Sequence, residues 1–339
     1  MGKIKVNDIG ASGKASLRAR LITAGILIAI VAPAIFLGGW FWFAVVAIAL
    51  GVSIYEFLGA TKKKYRWYIY VVCYIATLAF AFWGILKANG AAFAADSSHF
   101  TFSLTDHFSG IYVSILGAVV ALGVFFLCAI LHDDFDLGDV FDLFGMCFLI
   151  GVGFQAMMFL RYFPQYLAHN NIGFAQSIET DAGFLFGKSA LLIVLVTTGT
   201  CLNDAWAYFV GMFFGKHHIN PRVSPKKTYE GFWGGWILAS LSIVGLAAIL
   251  EATGNPIIPG YLDMNHWFWL VLIAVAIPGL ANLGDFSFSL IKRYFGTKDF
   301  GWLLKGHGGV LDRLDSLLFS YIGVSVLVIF IVNGWNFFA

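Results

Sequence analysis

Charge is what this 339-residue sequence has least of. Asp, Glu, Lys and Arg together make up 12% of it, about half the share of an ordinary soluble domain. Hydrophobic residues make up 60% and the mean hydropathy is +0.82, so a soluble globular domain is excluded. The net charge of +2 says little by itself, but the charges are spread thinly among apolar runs, which disfavours nucleic acid as a main partner. Cysteine is scarce too: Cys73, Cys128, Cys147 and Cys201 form no C-x-x-C pair and lie in apolar runs. That excludes a disulfide framework and a cysteine zinc site, and makes them small core residues. No Ser- or Pro-rich linker divides the chain, and no repeat is visible at a period of about 20 to 50 residues.

What is present is a series of runs without Asp, Glu, Lys or Arg, at 21–55, 67–86, 107–132, 143–160, 231–250, 264–284 and 316–339. About 20 apolar residues cross a bilayer as a helix, so each run can span. The 35-residue first run is long enough for two short helices hinged at Gly38 and Gly39. A further span, 189–215, is interrupted only by Asp204. The expected fold is therefore an all-α polytopic membrane bundle of about nine transmembrane helices.

Nine alternating spans with a cytoplasmic N-terminus put 18 of the 21 Lys and Arg residues inside and only Lys87, Arg161 and Lys188 outside. A wrong helix number would mix the two sets, so this asymmetry supports both topology and orientation. The acidic stretch 132–142 also falls inside, which the rule tolerates. The basic segment 1–19 resembles a signal-peptide start, but the apolar run after it is too long and no small-residue cleavage pattern precedes Trp40. The outer stretches 88–109, 164–187 and 253–265 read as connectors.

Two patterns are decoys. The segment from Gly183 to Ser189 resembles a phosphate-binding P-loop but has three residues between its glycines where the motif needs four. Gly211 with Gly215, and Gly231 with Gly235, fit the G-x-x-x-G pattern and are read as close helix packing. Glu56, near the inner end of the second span, is read as snorkelling toward Lys62, Lys63 and Lys64.

The C-terminal region, 187–339, differs in kind from the N-terminal region, 1–186, because carboxylates lie within or beside its spans. An acid inside a span costs at least ~2.5 kcal/mol on insertion scales and is functional by default. Asp204, Tyr208, Gly211 and Gly215 fall on one helical stripe, although a structural anchor is the alternative for Asp204. In the following loop, Ser224 and Pro225 read as a helix start, with Ser as cap. Lys226, Lys227 and Thr228 beside it suit phosphate, and an ordinary basic loop facing anionic lipid is the alternative.

The densest constellation runs from 285 to 315. Asp285, Ser289 and Lys292 share a helix face, and a Gly-rich turn around His307 follows. Asp312 and Asp315 then open the last helix. Two carboxylates about 4 Å apart repel by ~4 kcal/mol at an effective dielectric of 20, so convergence requires a cation. Oxygen ligands point to magnesium or a similar hard ion. Acids, cations and a Gly-rich loop beside lipid suit phosphoryl or nucleotidyl transfer to a lipid phosphate. The alternative pairs Asp312 with Arg313 and leaves Asp315 to favour the helix N-terminus.

The run from Ser289 through Lys292, Arg293, Lys298 and Asp299 to His307, Gly308, Gly309, Asp312, Arg313 and Asp315 closely resembles the signature of the phosphatidate cytidylyltransferases. The resemblance extends upstream through Asp204, Tyr208, Gly215, Lys216, Ser224, Lys226, Lys227, Thr228, Glu230 and Gly231, whereas the first half matches only as hydrophobic spans. Lys305 departs from the pattern, which carries Pro, Gly or Ser there. The resemblance implies conversion of CTP and phosphatidate to CDP-diacylglycerol and pyrophosphate by a membrane homodimer. Its implied metal site falls on Asp285, Asp312 and Asp315, with magnesium and potassium as a candidate second ion. Lys226, Lys227, Lys292 and Arg293 would then neutralise phosphate charge and His307 would position substrate. A CTP-dependent lipid or polyprenol kinase would share such a site. An ion-coupled anion transporter would need matching charged, broken helices in both halves, and the first half shows none.

Overall fold

The computed structural model describes residues 11–92, 107–170, 189–220, 222, 224–303 and 308–332. Within these, nine α-helices and one two-stranded hairpin follow in the order α1 (Ala11–Leu37), α2 (Gly39–Ala60), α3 (Trp67–Ala92), α4 (His107–Leu131), α5 (Leu137–Asn170), α6 (Leu191–Phe214), β1 (His218–Asn220), β2 (Ser224–Thr228), α7 (Tyr229–Ala252), α8 (Trp267–Tyr294) and α9 (Leu311–Val332). Among the described residues each apolar run identified in the sequence lies on helix, the first on two. Six helices are long and apolar enough to cross a membrane, at Gly39–Ala60, Leu137–Pro164, Leu191–Phe214, Tyr229–Ala252, Met264–Tyr294 and Leu311–Val332. Shorter apolar stretches lie in α1, α3 and α4, at Gly25–Leu37, Trp67–Phe82 and Gly117–Leu131.

The break between α1 and α2 comes at Gly38 and Gly39, whose φ angles are +65° and +53°. Only glycine takes such angles without steric cost, so the long first run divides where the sequence has this pair. The buried guanidinium of Arg161, on α5, reaches this turn and donates to the Phe36 carbonyl at 3.3 Å. A cation at the C-terminal end of α1 meets unpaired carbonyls and the negative end of the helix dipole. Arg161 is thus a buried anchor on α5 at the turn between α1 and α2.

Helix α5 forms the middle of the bundle. It packs on α2, α3, α4, α6 and α9, and Leu143, Ile150, Phe154, Met158 and Leu160 are completely buried along it. A helix apolar all round belongs in such a place. The other close group is α6, α7, α8 and α9. Here the G-x-x-x-G reading holds: a Cβ on Gly231 would stand 3.1 Å from the Gly211 Cα, and one on Gly235 2.9 Å from the Ala207 Cα. Three cysteines are buried as expected, but Cys201 is exposed on the surface of α6.

One end of the bundle is tied by polar contacts between the basic loop after α2 and the acidic loop before α5. Lys63 pairs with Asp139 at 2.7 Å and Asp136 at 3.4 Å, and Arg66 with Asp134 at 3.2 Å. The Asp139 N–H and the Lys63 ammonium hold the Asp136 carboxyl below the usual carboxylate range. The end of α8 joins the same cluster, since Tyr294 Oη donates to Asp142 at 3.1 Å and Lys62 Nζ to the Gly296 carbonyl at 2.8 Å. Loops of opposite charge that the sequence assigned to one side therefore do share one end.

Candidate active site

Helix α8 does not stop where its apolar run stops. It continues to Tyr294, which keeps Asp285, Ser289 and Lys292 on a regular helix in the expected i, i+4, i+7 relation. Helix α9 crosses close beside it. A Cβ on Gly284 would meet the Asp315 carbonyl oxygen at 2.7 Å and the Ser316 Cα at 3.1 Å, so the lack of a side chain there lets the acids of α9 approach α8.

Lys292 is the hub of that approach. Its Nζ lies 3.1 Å from Asp312 Oδ1 and 3.3 Å from Asp315 Oδ2, and all three residues are buried. The cation required between the two carboxylates is thus supplied by the protein itself. Asp312 does not pair with Arg313, which is exposed. Its second oxygen, Oδ2, accepts from the N–H groups of Phe300 and Gly309 at 2.9 Å and of Gly301 at 3.4 Å. Asp315 Oδ1 accepts from the Ser316 N–H at 2.8 Å.

Asp285, half-buried, pairs through Oδ2 with Lys227 Nζ and accepts at Oδ1 from Ser289 Oγ at 3.4 Å. Lys227 also lies over the Phe286 ring, 4.2 Å from its centroid, a favourable cation–π position. Asp204 is within electrostatic reach of Asp285, Lys227 and Arg313, and Asp315 within reach of Asp285. Three carboxylates and two lysines therefore gather where α8 and α9 cross, joined by β2, while Asp204 and Arg313 are exposed beside them. Deeper along the same helices Asn203 pairs with Asn282 at 3.1 Å and Thr200 with Ser320 at 3.0 Å, polar bridges between spans that the sequence reading missed.

The loop before α7 departs from expectation. Ser224 does not cap a helix. Residues 224–228 form a strand that pairs antiparallel with β1, and Thr228 is the cap, its Oγ1 accepting from the Gly231 N–H at 3.2 Å. The β-region backbone that Pro225 favours suits a strand as well as a helix entry, and a cap three residues before Gly231 satisfies the same orphan donor. Glu230 folds back onto the loop, accepting from the Lys216 N–H at 3.1 Å and contacting His217 Nδ1 at 2.6 Å. Its carboxylate fixes the hairpin, which carries Lys227 toward Asp285.

The structure does not bring all the expected residues together. Tyr208 is 67% exposed with its ring against Phe209. Lys216, Arg293, Lys298 and Asp299 are exposed around the same end, and Arg293 donates to the Thr297 carbonyl at 3.0 Å. Lys226 lies on β2, and nothing is described of its side chain. His307 and Lys305 lie outside the described residues, as does the P-loop-like segment 183–188.

The Gly-rich turn also has a different occupant. The close approach expected for a ligand is made by the protein's own acids. Gly308, at φ +83°, would place a Cβ 3.0 Å from Asp312 Oδ2, and a Cβ on Gly309 would fall on the carboxylate of Glu56. Glu56 is 4% exposed and accepts from the Val310 and Leu311 N–H groups at 3.0 and 2.9 Å. It does not snorkel toward Lys62, Lys63 and Lys64. The four unpaired N–H groups at the start of α9 supply a stronger partner, and a single sequence gives no sign that α2 and α9 meet.

Among the described residues no three acidic, His or Cys side chains converge tightly enough to form a metal cluster. The three acids of the implied metal site nevertheless share one arrangement. In each, one oxygen accepts an N–H or O–H bond and the other, among the described residues, pairs with a lysine ammonium, namely Asp285 Oδ2, Asp312 Oδ1 and Asp315 Oδ2. These are hard oxygen donors that already hold cationic charge.

A family model described as the cytidylyltransferase family matches residues 18–331. Curated relatives named phosphatidate cytidylyltransferase are similar over the half of the chain that one alignment spans. One from Staphylococcus epidermidis is 37% identical over 164 residues, and those from Staphylococcus saprophyticus and Staphylococcus aureus are 39% identical over 165. Each alignment covers 48% of this chain and 56% of the relative, so the chain matches just over half the length of these proteins. With a family match running over nearly its whole length, across all the helices that build the site, the chain belongs to the cytidylyltransferase family.

Proposed function

We propose that the protein transfers the cytidylyl group of CTP to phosphatidate, giving CDP-diacylglycerol and pyrophosphate. The observation that carries this reading is the meeting of Lys227 with Asp285 and of Lys292 with Asp312 and Asp315 at one end of an apolar helix bundle. The end of an apolar helix bundle is where a water-borne nucleotide and a lipid phosphate held in the bilayer would meet.

In the proposed reaction a phosphatidate oxygen attacks the α-phosphorus of CTP. The bond from that phosphorus to the oxygen bridging the β-phosphate breaks, and pyrophosphate leaves with its electron pair. No protein nucleophile is needed. A phosphate monoester is largely ionised near neutral pH, so no strong base is needed either. The work left to the protein is positioning and neutralising charge, for which Lys226, Lys227, Lys292 and Arg293 are suited. His307 is assigned to positioning.

Magnesium would be held by the hard oxygens of Asp285, Asp312 and Asp315, which Lys227 and Lys292 now face, with potassium as a candidate second ion. Bound there, it would supply positive charge against the triphosphate, which the near-balance of acids and cations at the site leaves wanting. We further place nine spans in the membrane, the N-terminus and the active site on the cytoplasmic side, and the protein in the inner membrane as a homodimer. Shared placement of the loops carrying Lys62, Lys63, Arg66 and the end of α8 supports the sidedness.

The test supplies purified protein with phosphatidate, magnesium and each of the four nucleoside triphosphates in turn. A liponucleotide is expected with CTP. Failure with every nucleotide contradicts the proposal.

A further inference from the structure

Glu56 belongs to α2, 254 residues before the backbone it binds, and nothing in the chemistry proposed above uses it. It is also a costly residue to keep. A carboxylate 4% exposed in a membrane-spanning helix must be compensated by charge or hydrogen bonds. Among the described residues no ion pair is formed by it; its partners are the N–H groups of Val310 and Leu311. Those groups are the first of α9, where the helix dipole favours an anion.

The surroundings are cut to admit this one carboxylate. A side chain at Gly301 or at Gly309 would occupy the volume of the Glu56 carboxylate. The same two glycines donate their N–H groups to Asp312 Oδ2. Two acids from opposite ends of the sequence therefore clamp one stretch of backbone. Asp312 holds residues 300, 301 and 309, and Glu56 holds 310 and 311. Asp312 is itself the second residue of α9, so the level at which α9 begins sets where Asp312 and Asp315 meet Lys292.

We propose that Glu56 is a positioning residue for the reaction: by holding the N–H groups of Val310 and Leu311 at the start of α9 it fixes the placement of Asp312 and Asp315. The inference rests on the cytidylyltransferase reading and extends it to the N-terminal half of the chain, where the reading above places no site residue. It also gives Gly301 and Gly309 a role as space for a carboxylate.

The test compares the unmodified protein with Glu56→Gln, Glu56→Ala, Gly301→Ala and the double variant Glu56→Ala with Gly301→Ala, each purified in detergent. Gln keeps the size but turns one acceptor into an N–H donor facing a backbone N–H. Losing a charge-assisted bond of this kind corresponds to about ten- to hundredfold. That loss is expected in kcat, with KM for CTP and phosphatidate changed less than about threefold and the melting temperature lowered but still well above the assay temperature, so that the protein assayed is folded. Amide exchange in the peptide spanning 308–312 should quicken, a readout independent of turnover. Gly301→Ala should lower kcat similarly by displacing the carboxylate, yet should add almost nothing once Glu56 is Ala.

Unaltered kcat in well-folded Glu56→Gln overturns the proposal, as does a loss that only follows loss of folded protein. If Glu56→Gln does not fold, Gly301→Ala decides: unchanged kcat there, or a loss that multiplies with Glu56→Ala, also overturns it. An inactive unmodified protein would instead contradict the cytidylyltransferase reading, and the exchange measurement would still report on the clamp.

Discussion

Lys292 stands between two buried carboxylates and is the residue whose loss the site can least absorb. Lys292→Met leaves Asp312 and Asp315 facing each other without their cation, and breaking a buried pair in this way costs about 3–5 kcal/mol. Thermal unfolding in detergent should register that as a clear fall in melting temperature, together with loss of activity. The three acids should respond differently from one another. Asp285→Asn and Asp315→Asn remove one charge from the proposed magnesium shell but few backbone contacts, so activity should fall by orders of magnitude while the fold survives. Partial recovery at high magnesium is expected where metal affinity is what was lost. Asp312→Asn should also lower stability, by about 1–3 kcal/mol, because its Oδ2 gathers three N–H groups. Melting temperature and specific activity measured on the same preparations check both. A destabilised yet fully active Asp285 or Asp315 variant would remove that residue from the metal set. Replacing Lys226 and Lys227 together with Ala should raise KM for CTP about tenfold or more without preventing insertion, because β2 lies beyond the end of α6. Unchanged kinetics would return this strand to an ordinary basic loop.

At the scale of elements, the crossing of α6 and α7 depends on residues with no side chain. Gly235→Ala would drive a Cβ to within 2.9 Å of both the Cα and the N of Ala207. Backbone cannot step aside as a side chain can, and overpacking of this kind costs about 1–3 kcal/mol. Gly245, on the same helix, has nothing within 4 Å of its notional Cβ. There Ala should be neutral or stabilising by up to about 1 kcal/mol, since Ala is the better helix former. The pair therefore separates packing from propensity within one helix, read as opposite shifts in melting temperature. The helices themselves, the Gly38 turn and the face bearing Asp285, Ser289 and Lys292 were legible in the sequence because each depends on local spacing. The strand at 224–228 was not, since Ser224 and Pro225 fit a helix start as well as an extended segment, and pairing with β1 decided between them. Nor was Glu56. Its partners are backbone N–H groups, which carry no sequence signal, on a helix brought near by tertiary packing. The Gly-rich turn was recognised as a place of close approach, but what approaches is fixed by tertiary structure.

For the whole molecule, the loops after α2 and before α5 and the end of α8 gather at one end, while the turn held by Asp263 before α8 lies at the other end of α7 and α8 from β2. In that turn Asp263 accepts from the Gly260 and His266 N–H groups at 2.6 and 2.9 Å. If the proposed topology holds, single cysteines at Lys64 and at Lys298 should react with an impermeant thiol reagent only from the cytoplasmic side, and one at Asn255 only from the opposite side, in a background lacking the four native cysteines. Labelling of Lys64→Cys and Lys298→Cys from different sides would contradict the shared end. The chemistry assigned to that end is tested most directly by CTP carrying one radiolabel at the α-phosphate and a second at the γ-phosphate, given to the purified protein with phosphatidate and magnesium. The lipid product should carry the α label and no γ label, with the γ label released as pyrophosphate in equal amount. A lipid carrying the γ label would make the protein a CTP-dependent kinase, and a lipid carrying neither would contradict cytidylyl transfer altogether.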